Sequence, residues 1–298
     1  MIAILISTYD RYEALAHWTA AQIERRWKNH PPIFFSGVNR PEECFLGFSE
    51  NPSDWMGVTL EAVQKMRRQG FTQAYLILDD HPPVGECHET FLNEILPALA
   101  RQLDASCIGL LGHGQHRKAQ GGILSKEESF LEQCPVHDRW KFSLHPGLWD
   151  LEVLEKLLIQ RRSIYQESER TAWNFERHRD DPNDPVLGSM LERCFRVSGC
   201  HFLKKKNSMK WQLRNARASR FVADVMLYGA KILGGSAKRD QLERQLLWLY
   251  GHYAGPYPLF WSGTMQKGKR HLGWERWLRY MGDQELKKSW QLVSEQYR

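Results

Sequence analysis

Several common signatures are missing from this chain of 298 residues. It has no run of about 18 apolar residues, so the sequence predicts no membrane-spanning helix. The six cysteines form no Cys-x-x-Cys pair, which favours free thiols in a reducing cytoplasm over a disulfide framework. The apolar start, Met1–Ile6, has no basic flank and is typical of a buried first strand rather than a signal peptide. We therefore expect a cytoplasmic globular protein.

Motifs of several enzyme classes are also missing. The sequence has no Gly-x-Gly-x-x-Gly or Walker loop, which argues against a nicotinamide enzyme or a P-loop ATPase. It has no Gly-x-Ser-x-Gly elbow, which argues against a serine hydrolase of that type. The segment Gly112–His116 carries two histidines, and His137 and His145 lie downstream, but no cysteine or glutamate stands at zinc spacing. A flexible loop is therefore favoured over a zinc site.

Charge is unevenly distributed along the chain. Residues 1–202 hold 22 Lys and Arg against 28 Asp and Glu, whereas residues 203–298 hold 19 against 7. The net charges are therefore −6 and +12. We expect a catalytic domain over 1–202 and a basic, Trp-rich helical region over 203–298, in three helical pieces.

A basic stripe marks the start of that C-terminal region. Its cations recur every three or four residues, and apolar residues such as Trp211 and Val222 lie beside them. Such a helix either rests on an anionic membrane, which would make the protein peripheral on the inner membrane face, or docks its apolar side on the catalytic domain. Docking is slightly favoured, and no specific nucleic acid is expected. The stripe consists of Lys206, Lys210, Arg214 and Arg217.

Strand and helix signals alternate through the first half. The pattern predicts an α/β sandwich with a mostly parallel sheet. Strands are predicted at Ile2–Ser7, Ile33–Phe35, Ala74–Leu78, Cys107–Leu111 and Lys141–Leu148. Helices are predicted over residues 12–28, after a cap at Ser53, over Glu89–Leu103 with a bend at Pro97, over Leu151–Leu158 and, as a turn, over Thr171–His178.

Two adjacent acids end the strand that precedes His81. In open α/β sheets, ligands bind at the carboxyl ends of strands. Asp79 and Asp80 repel each other there unless a cation lies beside them, and a divalent metal with oxygen ligands suits that position. The alternative for Asp-Asp is a solvated turn or a helix cap.

Five short motifs follow one another in a recognisable order. They are Ser7–Arg11, Ser53–Trp55, Tyr75–His81, Phe142–Trp149 and Trp173–Glu176. In this order they resemble bacterial GT-A-fold glycosyltransferases related to family 2, over about residues 1–180. The resemblance implies a Rossmann-like nucleotide-diphospho-sugar transferase, with a nucleoside diphosphate sugar as donor and UDP-sugars favoured.

The resemblance also implies residue roles. Ser36 would lie near the base or ribose, and Glu176 would be the carboxylate base of an inverting reaction. Glu176 alternatively is a surface acid, and Asp180 and Asp181 are rival bases. The remaining nucleotide-facing residues would be Thr8, Tyr9, Arg11, Asp54, Trp55 and Asp79.

The metal position departs from the family pattern. Asp79 and Asp80 occupy the Asp-x-Asp position, but His81 replaces the final aspartate. Either Asp80 or His81 would then bind manganese or magnesium, and imidazole suits manganese better. The implied acceptor is a hydroxyl of a glycan or a lipid-linked molecule in cell-surface polysaccharide synthesis. The alternatives are a nucleotidyltransferase and a non-catalytic protein that binds a membrane or an anionic polymer.

Overall fold

The fold is described by a computed structural model. The described residues are 1–38, 45–47, 54–110, 131–136, 138, 141–165, 171–178, 184, 187–197, 225–226, 228–230, 232, 234–235, 242, 252–253, 255–260, 263–266 and 268–297. They form an α/β structure around a mostly parallel sheet, which confirms the predicted fold class at that level.

The central sheet has eight strands within the described residues, in the order β3-β2-β1-β4-β7-β5-β8-β6. Six of these strands share one direction, because β1, β2, β3 and β4 pair in parallel, β5 pairs in parallel with β8, and β7 runs antiparallel to both β4 and β5. The strands are β1 Ile2–Ser7, β2 Ile33–Ser36, β3 Phe45–Gly47, β4 Gln73–Leu78, β5 Cys107–Gly109, β6 Leu131–Gln133, β7 Gly147–Asp150 and β8 Cys194–Val197.

The strand predicted at Lys141–Leu148 is placed wrongly. Residues 141–146 form turns and bends, and strand β7 occupies Gly147–Asp150 instead. Pro146 explains part of this shift, because it has no N–H group to donate to a neighbouring strand. The turns matter for the site, since Ser143 and His145 lie in them, before the first residue of β7, and not in the strand itself.

Helices cover both faces of the sheet. The residue that caps helix α2 is Asp54 rather than the predicted Ser53, because the Asp54 carboxylate accepts a hydrogen bond from Gly57 N at 2.9 Å. The helices are α1 Glu13–Arg26, α2 Trp55–Arg68, α3 Leu96–Gln102, α4 Leu151–Tyr165, α5 Thr171–Arg177, α6 Gly188–Leu191, α7 Leu272–Met281 and α8 Gln284–Ser294. Short 3-10 turns cover Asp10–Tyr12 and Glu295–Tyr297.

Near Pro97, where a bend was predicted, the structure shows a change of helix type. Phe91–Ile95 form a π-helical turn, and helix α3 begins directly after it with Pro97 in its first turn. Proline cannot donate the usual helical hydrogen bond, so a wider turn before it accommodates the missing donor.

Alternating strand residues feed two cores. In β1, Ile4 and Ile6 pack on the side of α1 and α3, whereas Ala3 and Leu5 pack on the side of α2, α4 and α5. This is the alternation of side chains that a strand buried on both faces produces. All four of these residues are fully buried, which fits the continuous apolar run in the sequence.

A third core joins the C-terminal region to α1. Trp18 of α1 contacts Trp274 and Trp290, with ring centroids 6.3 Å and 5.1 Å apart. The region is less helical than predicted, since residues 252–270 also contain four short strands. These form two antiparallel pairs, β9 His252–Tyr253 with β10 Leu259–Phe260, and β11 Met265–Gln266 with β12 Lys269–Arg270.

Two features that bear on the expectations from composition are seen in the described residues. Among the described residues, no helix combines the length and apolarity needed to cross a membrane. The four described cysteines are buried free thiols, namely Cys87, Cys107, Cys134 and Cys194.

Candidate functional site

The candidate site lies where the order of the sheet reverses. The chain passes from β1 outward to β2 and β3, then returns to add β4 on the other side of β1. Ser7 and Leu78 are register partners, so the carboxyl ends of β1 and β4 lie side by side. In doubly wound sheets, ligands bind in the crevice at this reversal point.

Thr8 and Asp79 meet at those two strand ends. The Thr8 hydroxyl donates to Oδ2 of Asp79 at 2.7 Å, and Asp79 N donates to Ser7 O at 3.1 Å. Thr19 of α1 donates to the carbonyl oxygen of Asp79. The position of the first carboxylate is therefore set by hydrogen bonds from β1 and α1.

The second carboxylate is held by its histidine neighbour. Oδ1 of Asp80 lies 2.7 Å from Nδ1 of His81, whose side chain is only 7% exposed. Burial, followed by the negative charge of Asp80, raises the pKa of Asp79 well above its ordinary range, and the Thr8 hydrogen bond opposes this only in part. A cation beside the pair would relieve the same repulsion.

The C-terminal region wraps the acidic turn. Thr264 N donates to Asp80 O at 2.8 Å, and the hydroxyl of the buried Tyr257 donates to His81 O at 3.0 Å. Gly263 has φ +73°, and a Cβ there would overlap the Asp80 carboxylate. Residues distant in sequence thus form one wall of the candidate site.

His271 is a site neighbour that sequence reasoning missed. Its Nδ1 accepts a hydrogen bond from Trp274 N at 3.2 Å and caps α7. Burial lowers the pKa of His271, and the opposing effect of the Asp80 charge does not offset this. In the sequence, His271 directly follows Lys269 and Arg270, and no local signal connects it with Asp80.

Glu176 reaches the same region through two polar neighbours. Its Oε1 accepts hydrogen bonds from the Ser143 hydroxyl at 3.1 Å and from Leu144 N at 3.3 Å. Ser143 Oγ also lies 2.6 Å from His145 Nδ1. The ring of His145 then meets the ring of His81 edge to face, with centroids 5.3 Å apart. A continuous chain of contacts therefore joins Glu176 to Asp80.

Three predicted nucleotide residues border the end of β1. Trp55 Nε1 donates to the Ser7 hydroxyl at 2.6 Å. Tyr9 packs edge to face on Tyr12 at 4.6 Å, and burial followed by its hydrogen bond with Tyr12 raises the pKa of Tyr9. The exposed Arg11 places its guanidinium 5.8 Å from the Tyr12 ring. These three side chains therefore lie around the end of β1, and their contact with a nucleotide stays a prediction.

Two other predicted residues have structural roles. Ser36 is fully buried, and its carbonyl accepts a hydrogen bond from Thr8 N at 2.9 Å. The Asp54 carboxylate caps α2 and forms an ion pair with Arg162 at 2.9 Å. The predicted contact of these two residues with a nucleotide stays a prediction.

The carboxylates suit a metal that is completed by its substrate. Within the described ranges, no three His, Cys, Asp or Glu side chains are grouped to hold a metal ion by themselves. Magnesium sites of nucleotide enzymes commonly need only one or two carboxylates, because phosphate oxygens and water supply the other ligands. Burial and the neighbouring charge of Asp80 both disfavour the ionised form of Asp79, and a bound cation would offset both effects.

Some predicted features fall outside the described residues. These are the basic stripe from Lys206 to Arg217, the histidines of Gly112–His116, His137, and the rival bases Asp180 and Asp181.

Comparisons with protein-family models, with curated proteins and with solved structures find no match to this chain.

Proposed function

We propose that this protein is a GT-A-fold glycosyltransferase that moves a sugar from a nucleoside diphosphate donor to a hydroxyl acceptor. The observation that carries the proposal is the contact of Thr8 with Asp79, directly before Asp80, at the reversal point of the sheet. Doubly wound sheets bind nucleotides at that point, and adjacent carboxylates there suit a metal–diphosphate group. The order β3-β2-β1-β4 supports the same assignment.

The donor would lie across the ends of β1 and β4. Asp79 and Asp80 would hold manganese or magnesium, which neutralises charge on the departing diphosphate when bound. Thr8 orients Asp79, and Trp55 and Tyr9 offer aromatic surface for the nucleotide. UDP-sugars are the first donors to test.

Glu176 would act on the acceptor. An inverting transfer needs a carboxylate that takes the proton of the acceptor hydroxyl while its oxygen attacks the anomeric carbon. The two described hydrogen bonds to Glu176 both end on Oε1, so Oε2 would be the oxygen that accepts the proton. The bond to the diphosphate oxygen breaks in the same step, and the nucleoside diphosphate leaves.

The test is to replace Asp80 with Asn and measure release of UDP from a panel of UDP-hexoses with Mn²⁺. We expect a loss of at least about 100-fold, because an amide neither balances the cation nor keeps the charge on the metal ligand. Asp150→Asn is the matched control. Asp150 caps α4 and pairs with Gln73 at the start of β4, so it lies at the end of the strands away from the candidate site, and Asn caps helices equally well. Equal activity in the two variants would remove the basis of the proposal.

A second candidate activity is attachment to an anionic membrane. Four helical residues are 47–69% exposed although they are apolar or aromatic, namely Val225, Met226, Tyr228 and Ile232. They lie in the C-terminal region of net charge +12. Apolar groups flanked by cations favour the interface of an anionic bilayer.

Vesicle sedimentation tests the attachment. We expect binding to vesicles that contain phosphatidylglycerol, weak binding to pure phosphatidylcholine, and loss on replacing Met226 and Ile232 with Ser. Binding that is unchanged by those substitutions would contradict this use of the helix.

A further inference from the structure

Ser143 and His145 contact residues of the candidate site but have no role in the transfer described above. Ser143 and His145 lie in the turns that precede β7. Ser143 Oγ contacts both His145 Nδ1, at 2.6 Å, and Glu176 Oε1, at 3.1 Å. Both residues are half-buried, so they border the site rather than the core.

The hydrogen bonds in this group form a chain in which His145 donates to Ser143 and Ser143 donates to Glu176. A carboxylate can only accept, so the single hydroxyl hydrogen of Ser143 goes to Oε1 of Glu176. The short contact between Ser143 Oγ and His145 Nδ1 then requires His145 to donate its Nδ1 hydrogen. His145 N lies 3.3 Å from the same hydroxyl oxygen and donates to it as well. This arrangement polarises Ser143 as a donor to the carboxylate.

The backbone beside Glu176 is held from the other side. Phe175 is fully buried and contacts Trp55 and Trp149, with ring centroids 5.3 Å and 6.2 Å away. The Arg161 guanidinium lies 4.7 Å from the Phe175 ring and donates to the Phe175 carbonyl. Because the backbone is fixed in this way, the direction of the Glu176 side chain depends on Ser143 and Leu144.

We propose that Ser143 and His145 are positioning residues, which hold Oε1 of Glu176 so that Oε2 faces the acceptor hydroxyl. This inference rests on the proposed function, in which Glu176 is the base. His145 also packs against His81 beside Asp80, so the same two residues set the placement of the base relative to the diphosphate site.

A double-mutant cycle tests the inference with UDP release from UDP-hexoses and Mn²⁺ as the assay. We expect Ser143→Ala to lower kcat by about 10- to 100-fold with little change in the donor KM, because a misplaced base affects the transition state rather than donor binding. The same substitution in a Glu176→Gln background should cause no further loss, since Ser143 acts through Glu176. Ser143→Thr keeps the hydroxyl and should restore most of the rate.

His145→Gln is a second test of the same inference. It should also lower kcat in the wild-type background and cause no further loss in the Glu176→Gln background. Thermal unfolding and UDP binding of each variant show that the fold and the donor site are intact. A loss of equal size in both backgrounds, or a full rate for Ser143→Ala, overturns the inference alone. A wild-type protein that releases UDP from no donor, or a Glu176→Gln variant with full activity, overturns the proposed function together with it.

Discussion

Gly263 provides a test of how closely the C-terminal region fits the acidic turn. Its φ of +73° is unfavourable for any residue with a Cβ, and an added Cβ would lie 2.9 Å from Cγ of Asp80. Carbon atoms prefer separations of about 3.5–4.0 Å, so the Asp80 carboxylate must move by about 1 Å in Gly263→Ala.

The expected magnitude separates stability from activity. An alanine at positive φ costs about 1–2 kcal/mol, which lowers the melting temperature by a few degrees. A displacement of about 1 Å in a catalytic group costs about 100-fold in rate. Gly263→Ala should therefore lose far more activity than stability.

Gly70→Ala is the matched control. Gly70 has φ +86°, but the nearest atom to an added Cβ there is the flexible end of Met1, at 3.3 Å. Gly70 lies between the end of α2 and the start of β4, and thus at the end of the strands away from the candidate site. We expect a similar loss of thermal stability in both variants, measured by calorimetry, and slow UDP release in Gly263→Ala alone. Equal rates in both variants would refute the reasoning about Asp80.

Other predictions concern the fold. Asp283 caps α8 and forms an ion pair with the buried Arg26, so Asp283→Ala should lower the unfolding free energy by about 2 kcal/mol in urea, and Asp283→Asn, which keeps the cap, by less. Burial opposes ionisation of Asp283, but the hydrogen bonds from Arg26 and Leu286 N outweigh it and lower its pKa. The difference between wild type and Asp283→Asn should therefore be full at neutral pH and should shrink as the pH falls below about 4 and through the lowered native pKa, and a difference that does not shrink on acidification would contradict this. Burial raises the pKa of Cys134 to about 12, so iodoacetamide should modify this thiol at pH 8 only after unfolding, and rapid modification of Cys134 in the native protein, located by peptide mass spectrometry, would contradict its placement.

Much of the sheet was predictable because its strands are strongly apolar. The runs Ile2–Ser7 and Gln73–Leu78 are buried on both faces, and such strands show in a sequence as continuous apolar segments. Because Asp79 directly follows such a run, its place at the carboxyl end of a strand follows from the sequence alone. The short strand Phe45–Gly47 was missed, because three residues give no measurable periodicity.

Strand direction was not predictable in the same way. Gly147–Asp150 is a short apolar segment, and its side-chain pattern is the same whether it pairs in parallel or antiparallel. Its reversal is set by β4 and β5, between which it lies. The turns before it, which place Ser143 beside Glu176, follow from this tertiary pairing.

The wall of the site was hidden for a related reason. Gly263 and Thr264 contact Asp80 through backbone atoms and through the lack of a side chain, and neither leaves a motif. Ser36 shows a second limit, since the resemblance implied a place near the base or ribose but could not show that the residue is fully buried without a ligand. Position along a strand predicts which edge a residue occupies but not what covers it.

The most direct test of the nucleotide-sugar site is a thermal-shift titration of wild type and Asp80→Asn with UDP, GDP and CDP, with and without Mn²⁺. A ligand present at 100 times its Kd stabilises the native state by about 2.7 kcal/mol, which corresponds to a rise of about 5 °C for a chain of this size. We predict that rise for wild type with at least one diphosphate and Mn²⁺, and its loss in Asp80→Asn. An unchanged melting temperature with every diphosphate, or an equal rise in both proteins, would contradict the assignment of Asp79 and Asp80 as the metal–diphosphate site.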